Sequence, residues 1–506
     1  MASTLWVQAL AALLLLLAAL FAFTSARLVQ LALASVVASI FLSVAYLVSD
    51  SFTGAGITEA TVFHILYGID GLDLEVVAAP ALAGLAAIIG SIWLLRRAYR
   101  AARLKHVGIS MPTQLTLTGA CATFALLLHP TVLQSKELLA SAVDVSRAQV
   151  LNQDLFGLTP ESSPLPRRSF VYVYAESLER SFFDEKHFPQ LITELRQLER
   201  GALSFRGIRQ APMTDWTIAG MVASQCGVPL APFRRNRNDF AGVQHFMPGA
   251  TCLGDLLKSA GYRNSYVGGA DTAFAGKGRF YRDHGFDTVL GKDELSAQQA
   301  EPPPLSKWGV YDDLMFDSAY REYTRLASAP GPFALTVLTL DTHPDEGHRT
   351  PACRDLPRYG DGTNPMLDAV RCADHLVAAF VRRIEAHAAA NGIDVVVVVA
   401  SDHLMMKSTG VTPLLEAMQA QRENLLFVRG RGIDPGVVTR DATTLDVAPT
   451  LLRLLGAPVE TLALGRDLLM PAPTLSEKYG REQFFDLVQH WRLALWRVWD
   501  GDSKAL

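Results

Sequence analysis

Four acidic and imidazole side chains stand just past apolar runs in the second half of this sequence: Glu176, His343, and the adjacent pair Asp402-His403. Glu176 follows the run Phe170 to Tyr174 by two residues, His343 follows Phe333 to Leu340 by three, and Asp402 follows Val395 to Ala400 by two. Their oxygen and nitrogen donors suit zinc or manganese, and three protein ligands with one open position are the arrangement of catalysis rather than of structure. A nucleophile has a place in Ala211-Pro212-Met213-Thr214-Asp215-Trp216-Thr217-Ile218, a turn that leads into an apolar helix. Thr214 there has two readings. It caps the helix and accepts a backbone hydrogen bond, or its metal-activated hydroxyl attacks phosphorus while helix amides receive the phosphoryl oxygens. Thr217, one turn on, is the rival nucleophile.

Strands must deliver these groups. Val395 to Ala400, five valines and an alanine without polar alternation, predicts a strand buried on both faces of a parallel sheet. Ser169 to Tyr174 and Phe333 to Leu340 read the same way, Asn264 to Val267 and Asn424 to Val428 as further strands. Phe188 to Arg200, Asp312 to Ala327 and Pro365 to Ala390 read as helices. This alternation predicts an α/β domain with a mainly parallel sheet flanked by helices. Ligands of such sheets bind at the carboxyl ends of the strands, so Glu176, His343 and Asp402-His403 are expected to share one site.

The amino-terminal part is of another kind. Half of all residues are hydrophobic and only 19% are charged, and the apolar excess lies before about residue 135. Leu5 to Phe23, Leu28 to Val48, Leu74 to Leu95 and Met111 to Leu133 each approach the roughly 20 residues that cross a bilayer, which predicts a transmembrane domain over 1–133. Met1 to Trp6 carries no Lys or Arg, against a cleaved signal peptide. The basic loop Arg96, Arg97, Arg100, Arg103 and Lys105 is expected on the cytoplasmic side, whereas Asp50 to Asp73 has no Lys or Arg. Everything after about residue 134 is then external. Val62 to Tyr67 is the place for a fifth span or an interfacial dip. Residues 134–167 read as a connecting helix, Gln134 to Phe156, and a proline-rich linker, Thr159 to Pro166. The globular domain is expected over 168–475. Residues 476–506 hold an amphipathic aromatic helix, Phe484 to Trp499, docked on that domain or lying in a membrane interface.

A net charge of −4 gives no basic footprint for nucleic acid. Arg234-Arg235-Asn236-Arg237 reads as a solvated loop or a contact for anionic lipid. Cys121 falls inside the fourth span, and Cys226, Cys252, Cys353 and Cys372 fall in the external domain, where disulfides persist. Four cysteines allow three connectivities. Pairing Cys226 with Cys252 and Cys353 with Cys372 closes the short loops, and the absence of any CxxC speaks against a zinc site built on these cysteines.

Several segments together resemble the phosphoglycerol transferase I family: Tyr174-Ala175-Glu176-Ser177-Leu178-Glu179-Arg180, Met213 to Gly227, Phe274-Ala275-Gly276-Lys277, Trp308-Gly309-Val310-Tyr311-Asp312-Asp313, Leu340-Asp341-Thr342-His343-Pro344 and Ser401-Asp402-His403-Leu404. Lipoteichoic acid synthases and phosphoethanolamine transferases are wider relatives in the alkaline phosphatase and sulfatase superfamily. The resemblance covers roughly residues 168 to 470 closely and the membrane section in layout. It implies one manganese or zinc ion held by Glu176, Thr214, Asp402 and His403, with Thr214 as nucleophile. It also implies that His343 contacts the substrate phosphate and that Lys277 lies near the headgroup. The implied reaction moves phosphoglycerol from phosphatidylglycerol to a periplasmic glucan, from a multi-pass protein of the bacterial inner membrane. Transfer of phosphoethanolamine, or hydrolysis with water as acceptor, keeps the same site. Members of that family continue beyond the equivalent of Gly465-Arg466-Asp467, which leaves the acceptor open.

Overall fold

The computed structural model describes residues 2–22, 25–53, 56–58, 61, 74–102, 110–143, 168–231, 245–344, 346–407, 410–418, 421–457, 459–491 and 495. Val62 to Tyr67, Thr159 to Pro166 and Arg234 to Arg237 lie outside these. The chain divides into two compact units, Met1–Val62 with Leu72–Val143, and Phe63–Gly71 with Asp144–Leu506.

The first unit is helical: α1 (Ala2–Ala22), α2 (Ala26–Thr53), α3 (Leu74–Ala102), α4 (Met111–Leu127) and α5 (Pro130–Val143). All four predicted apolar segments lie on helices, but the first carries only a shorter apolar stretch, Leu10–Ala19, among the described residues. Among the described residues Arg27–Asp50 and Ala78–Arg97 are long and apolar enough to cross a membrane, and α4 with α5 makes a third only if the bent pair is one span. The fourth predicted span is therefore not one straight helix. It bends by 61° at the break, where Pro130 cannot donate to the turn before it. The His129 ring fixes that bend. Its Nδ1 accepts from Thr131 N at 3.3 Å and its Nε2 lies 3.1 Å from Ser43 Oγ on α2. Of the predicted connecting helix, Gln134 to Phe156, the residues through Val143 are helical, and the rest lies outside the described residues. Leu82, Ile89, Trp93 and Phe124 remain exposed, as side chains solvated by lipid can be.

The second unit is built on an eight-stranded sheet in the order β10-β2-β9-β8-β1-β7-β3-β4. The strands are β1 (Ser169–Tyr174), β2 (Leu203–Arg209), β3 (Arg263–Gly268), β4 (Thr288–Leu290), β7 (Phe333–Leu338), β8 (Val395–Ala400), β9 (Leu426–Arg429) and β10 (Gly436–Thr443). Hairpins β5 (Leu305–Ser306) with β6 (Gly309–Val310), and β11 (Thr461–Leu462) with β12 (Gly465–Arg466), stand apart. Only β9 runs against its neighbours, so the sheet is mainly parallel as predicted. The valines of β8 explain its place at the centre: every residue of β1, β7 and β8 is buried, and each buried valine contributes roughly 1.5–3 kcal/mol.

Helices cover both faces. Val171, Val173, Val397 and Val399 share one core with Met315 of α9 (Asp312–Ala327) and Val377 and Val381 of α10 (Pro365–Asn391). On the other face Tyr174 Oη meets Ser224 Oγ at 2.7 Å, on α7 (Thr217–Cys226). The pairing register matters most for function. Tyr174 stands opposite both Leu338 and Ala400, so β1, β7 and β8 end at one level.

Two boundaries shift from the sequence reading, and strands appear that it did not predict. The helix expected from Phe188 starts only at Glu194, as α6 (Glu194–Arg200). Gln190 adopts φ 57°, and Asp374 of α10 accepts the N–H groups of Thr193, Glu194 and Leu195, which sets the new start. Strand β7 ends at Leu338 because Asp312 takes the N–H groups of Leu340 and Asp341. Strands β2 and β10 were not predicted: β10 is an edge strand with Val437 64% exposed, so it lacks the apolar pattern of a buried strand. Both short-loop disulfides form, Cys226–Cys252 and Cys353–Cys372, and Cys121 is free. The terminal aromatic helix is docked as far as it is described: in α11 (Arg481–His490) and just beyond, Phe484, Val488, Trp491 and Leu495 are buried. Asp374→Ala strips the acceptor from three backbone N–H groups. It is expected to cost about 1–3 kcal/mol, read as a lower thermal midpoint of the second unit; an unchanged midpoint would show the cap dispensable.

Candidate active site

Glu176 leaves β1 through a turn that the flanking strands fix on both sides. Its N–H donates to Thr339 Oγ1 at 2.8 Å, and its carbonyl accepts from the Thr342 hydroxyl. Ser177 then takes φ 57°, a conformation that costs a non-glycine residue about 1–2 kcal/mol. In return its N–H reaches Asp402 Oδ1 at 3.0 Å, and its hydroxyl donates to Glu176 Oε1 at 2.9 Å. The loop after β8 is held equally firmly. Leu404 N donates to Gln210 Oε1 at 2.7 Å, and Met405 N to the buried Glu179 Oε2 at 3.0 Å.

Glu176, Asp402 and His403 meet with their ligand atoms within 4.8 Å of one another, all fully buried. The His403 Nδ1–H donates to the Leu404 carbonyl at 2.7 Å, which turns the Nε2 lone pair inward. Nε2 lies 3.2 Å from both Glu176 Oε1 and Asp402 Oδ2. Two ligands at 2.0–2.1 Å from a tetrahedral ion lie roughly 3.3 Å apart, so the spacing fits a small divalent cation. Asp402 Oδ2 is a buried acceptor without a hydrogen-bond donor, which a cation would satisfy. Burial and the nearby Glu176 push the Asp402 carboxyl up. Burial raises Glu176 as well, but the charge on His403 outweighs it and holds Glu176 below the usual carboxylate range. Burial alone would lower the His403 pKa; the two carboxylates reverse that. The pocket thus seeks positive charge. A second group, Cys252, Asp255 and His284, is closed to metal: the sulfur is in a disulfide, and the His284 nitrogens face Asp255 at 2.8 Å and the Phe246 carbonyl at 3.0 Å.

The threonines require a correction. Thr214 is not the helix cap, since the cap position is Trp216 and α7 begins at Thr217. Met213 adopts φ 60°, and the buried Thr214 hydroxyl donates back to the Ala211 carbonyl at 2.7 Å, closing the turn. Thr217 instead meets the cluster. Its Oγ1 lies 3.3 Å from Glu176 Oε2 and 3.5 Å from His403 Nε2, and it is only half-buried. Gly220 lets α7 come this close: a Cβ there would stand 2.0 Å from the Asp402 carbonyl oxygen.

His343 reaches the same edge from β7, its Nδ1 2.7 Å from the Pro344 carbonyl. Burial lowers its pKa, so the ring is neutral with Nε2 available. Asp341 and Asp312 brace this loop, since Asp341 accepts Asp312 N while Asp312 accepts Leu340 N and Asp341 N. The Trp308 ring packs 4.0 Å from His343, and its indole N–H is buried without a partner among the described residues. Lys277 opens α8 (Lys277–Asp283), buried, with Nζ 4.7 Å above the Phe274 ring. Burial pulls its pKa down to about 8 against the attraction of Glu176, Asp271 and Asp402. Sequence reasoning missed Trp308 as a site residue. Its only signal was its place in the segment Trp308 to Asp313.

Sheet, cluster and helix-borne hydroxyl together define a phosphatase-like hydrolase or transferase fold. Residues 168–457 match the family model described as Sulfatase, and the chain belongs to that family. Residues 4–149 match the model described as phosphoglycerol transferase I, N-terminal domain. The chain is 36% identical over 468 residues to phosphoglycerol transferase I of Xanthomonas campestris pv. campestris strain B100, covering 90% of this chain and 64% of that protein. It is also 36% identical over 473 residues to phosphoglycerol transferase I of Escherichia coli O139:H28, covering 91% and 59%. It therefore spans about three-fifths of the length of these relatives. Among solved structures, lipoteichoic acid synthase LtaP from Listeria monocytogenes matches with a TM-score of 0.52 at 15% identity, covering 71% of this chain and 98% of that one. An alkaline phosphatase superfamily protein from Vibrio parahaemolyticus matches with a TM-score of 0.51 at 22% identity, covering 67% and 78%. These two likenesses concern the fold alone.

Calorimetric titration of the metal-stripped protein with manganese and with zinc is expected to give one tight site. Gly220→Ala, which drives α7 off the Asp402 backbone, should weaken it by about 10–100-fold. Unaltered affinity in that variant would mean the helix does not support the cluster.

Proposed function

We propose that this chain transfers phosphoglycerol from phosphatidylglycerol to a glucan hydroxyl through a covalent phosphothreonine on Thr217. The contact of the Thr217 hydroxyl with Glu176 and His403 carries this reading. Thr214, although the segment Met213 to Gly227 favoured it, is buried and already bonded to Ala211. Glu176, Asp402 and His403 would hold one manganese or zinc ion, which when bound lowers a hydroxyl pKa and polarises a phosphoryl oxygen.

Thr217 is the first residue of α7, and the first helical bond runs from Gly220 N to the Trp216 carbonyl. The amides of Thr217, Ile218 and Ala219 therefore have no acceptor within the helix, and such an end favours an anionic phosphoryl group. In the first displacement the bond from Thr217 Oγ1 to phosphorus forms and the bond to the diacylglycerol oxygen breaks. Thr217 gives up one proton and diacylglycerol gains one. In the second the acceptor oxygen bonds to phosphorus, the Thr217 bond breaks, and Thr217 is reprotonated. His343 suits the acceptor's proton, because its Nδ1 is committed to Pro344 and burial keeps the ring neutral. Two displacements imply ping-pong kinetics.

Lys277 favours a glycerol headgroup over phosphoethanolamine. A buried ammonium repels a second one, whereas a diol brings no charge. The apolar helices fit a lipid donor, and the arginines at the end of α3 favour a cytoplasmic position there. Together with the likeness to phosphoglycerol transferase I, these support a multi-pass protein of the inner membrane whose second unit lies in the periplasm.

The purified protein, given phosphatidylglycerol labelled in its headgroup glycerol, should retain label. Thr217→Ala should abolish the adduct and lower turnover by roughly 10³-fold or more, while Thr214→Val keeps it. Label that survives Thr217→Ala but not Thr214→Val would sink the assignment; label only from phosphatidylethanolamine would replace the headgroup, and free glycerol phosphate as the sole product would make the enzyme a hydrolase. A pH profile tests Lys277. Burial disfavours its charged form, so the cation is present below about 8 and lost above it. The KM for the lipid should climb as pH rises through that value, and the climb should vanish in Lys277→Gln; the same climb in the variant would remove Lys277 from the headgroup site.

A further inference from the structure

We propose that a cleft beside His343, between Tyr311 and the loop 349–358, binds the sugar chain of the acceptor; this rests on the transfer reaction above. A cavity of about 400 Å³ is lined there by Pro304, Tyr311, Arg349, Thr350, Arg354 and Arg358. A neighbouring one of about 650 Å³ shares Pro304, Tyr311 and Pro351 with it and continues past Gln299, Asp313 and Asp317. The two adjoin at these three residues. Tyr311 is three residues from Trp308, whose ring packs 4.0 Å from His343. Three residues span at most roughly 11 Å, so Tyr311, which lines both cavities, lies near the Trp308–His343 pair.

The lining fits a hydroxyl-rich chain better than an acyl chain. The smaller cavity presents arginines, a threonine and the Tyr311 phenol, and the larger presents prolines, alanines and Leu314 beside Gln299 and Asp317, a mixture that suits the hydroxyl edges and apolar faces of sugar rings. Planar groups with several donors or acceptors match the paired hydroxyls of sugars. Arg354 is exposed, and its side chain has no hydrogen-bond or ion-pair partner among the described residues. The walls are preformed. Cys353–Cys372 ties the loop to α10, Asp313 Oδ2 accepts Ala352 N at 3.0 Å, and Arg349 gathers the carbonyls of Cys353 and Leu356. A rigid cleft loses little entropy on binding a chain.

The test titrates the full-length protein in detergent with a short linear gluco-oligosaccharide, by calorimetry, and repeats it with inorganic phosphate. Saturable oligosaccharide binding is expected, weakened about tenfold in Arg354→Ala and in Tyr311→Ala, the scale of one charged hydrogen bond. The KM for the same oligosaccharide in transfer should rise by a like factor. Arg354 is exposed, so that variant tests the cleft even where Tyr311→Ala folds poorly. Undiminished binding in Arg354→Ala, no saturable binding, or binding of inorganic phosphate without the oligosaccharide would overturn the proposal. Labelling of Thr217 from the lipid alone needs no acceptor, so its failure counts against the transfer reaction while the titration still decides the cleft.

Discussion

Glu176 and Asp402 lie side by side with almost no contact with water. Two carboxylates in such a place repel one another, and neither keeps its charge unless positive charge is brought between them. His403 Nε2 stands 3.2 Å from each, and a divalent cation held among the three would supply that charge. The surrounding structure answers this requirement: the Ser177 amide neutralises one Asp402 oxygen, the Leu404 carbonyl orients the imidazole, and Asp402 Oδ2 is kept free of donors.

Such a cluster tolerates little displacement, and its supports come from many elements. The common level at which β1, β7 and β8 end carries the main burden. A one-residue slip of β1 against β8 would turn the inward residues outward and separate Glu176 from Asp402. Reciprocal capping by Asp312 and Asp341 ends β7 two residues early and frees the loop that bears His343. Gly220 removes the one side-chain atom that would hold α7 off the Asp402 backbone. The Cys226–Cys252 bridge anchors the other end of that helix.

In the proposed transfer the donor and the acceptor would approach Thr217 from separate sides. Phe274, Lys277, Trp308 and His343 form the side suited to a phosphoglycerol headgroup, where the cation is buried. The proposed acceptor cleft past Tyr311 has a charged end at Arg349, Arg354 and Arg358 and a more apolar end at Pro302, Pro303 and Leu314. This division suits a two-step transfer, in which diacylglycerol leaves before the acceptor enters.

Much of this was legible in the residues themselves. A run of five valines has one stable use, burial on both faces of a sheet, and the acids and imidazoles just beyond three such runs had to emerge at one edge. The disulfide pairs were legible too, since short loops close most readily. Local pattern did not reveal β10, an edge strand whose side chains are mostly exposed or half-buried, nor the late start of α6, which Asp374 sets from 180 residues away. Nor did it separate Thr214 from Thr217. Both stand before the same apolar helix, three residues apart, and their types are identical. The choice rests on the left-handed Met213 and the hydroxyl bond to Ala211, which delay the helix start until Thr217 faces the cluster. The residue types thus determined which chemistry was available. Which hydroxyl meets the carboxylate–imidazole cluster was decided by how one turn packs against two strand ends, because a distance of a few ångströms between residues far apart in sequence exists only in the folded chain.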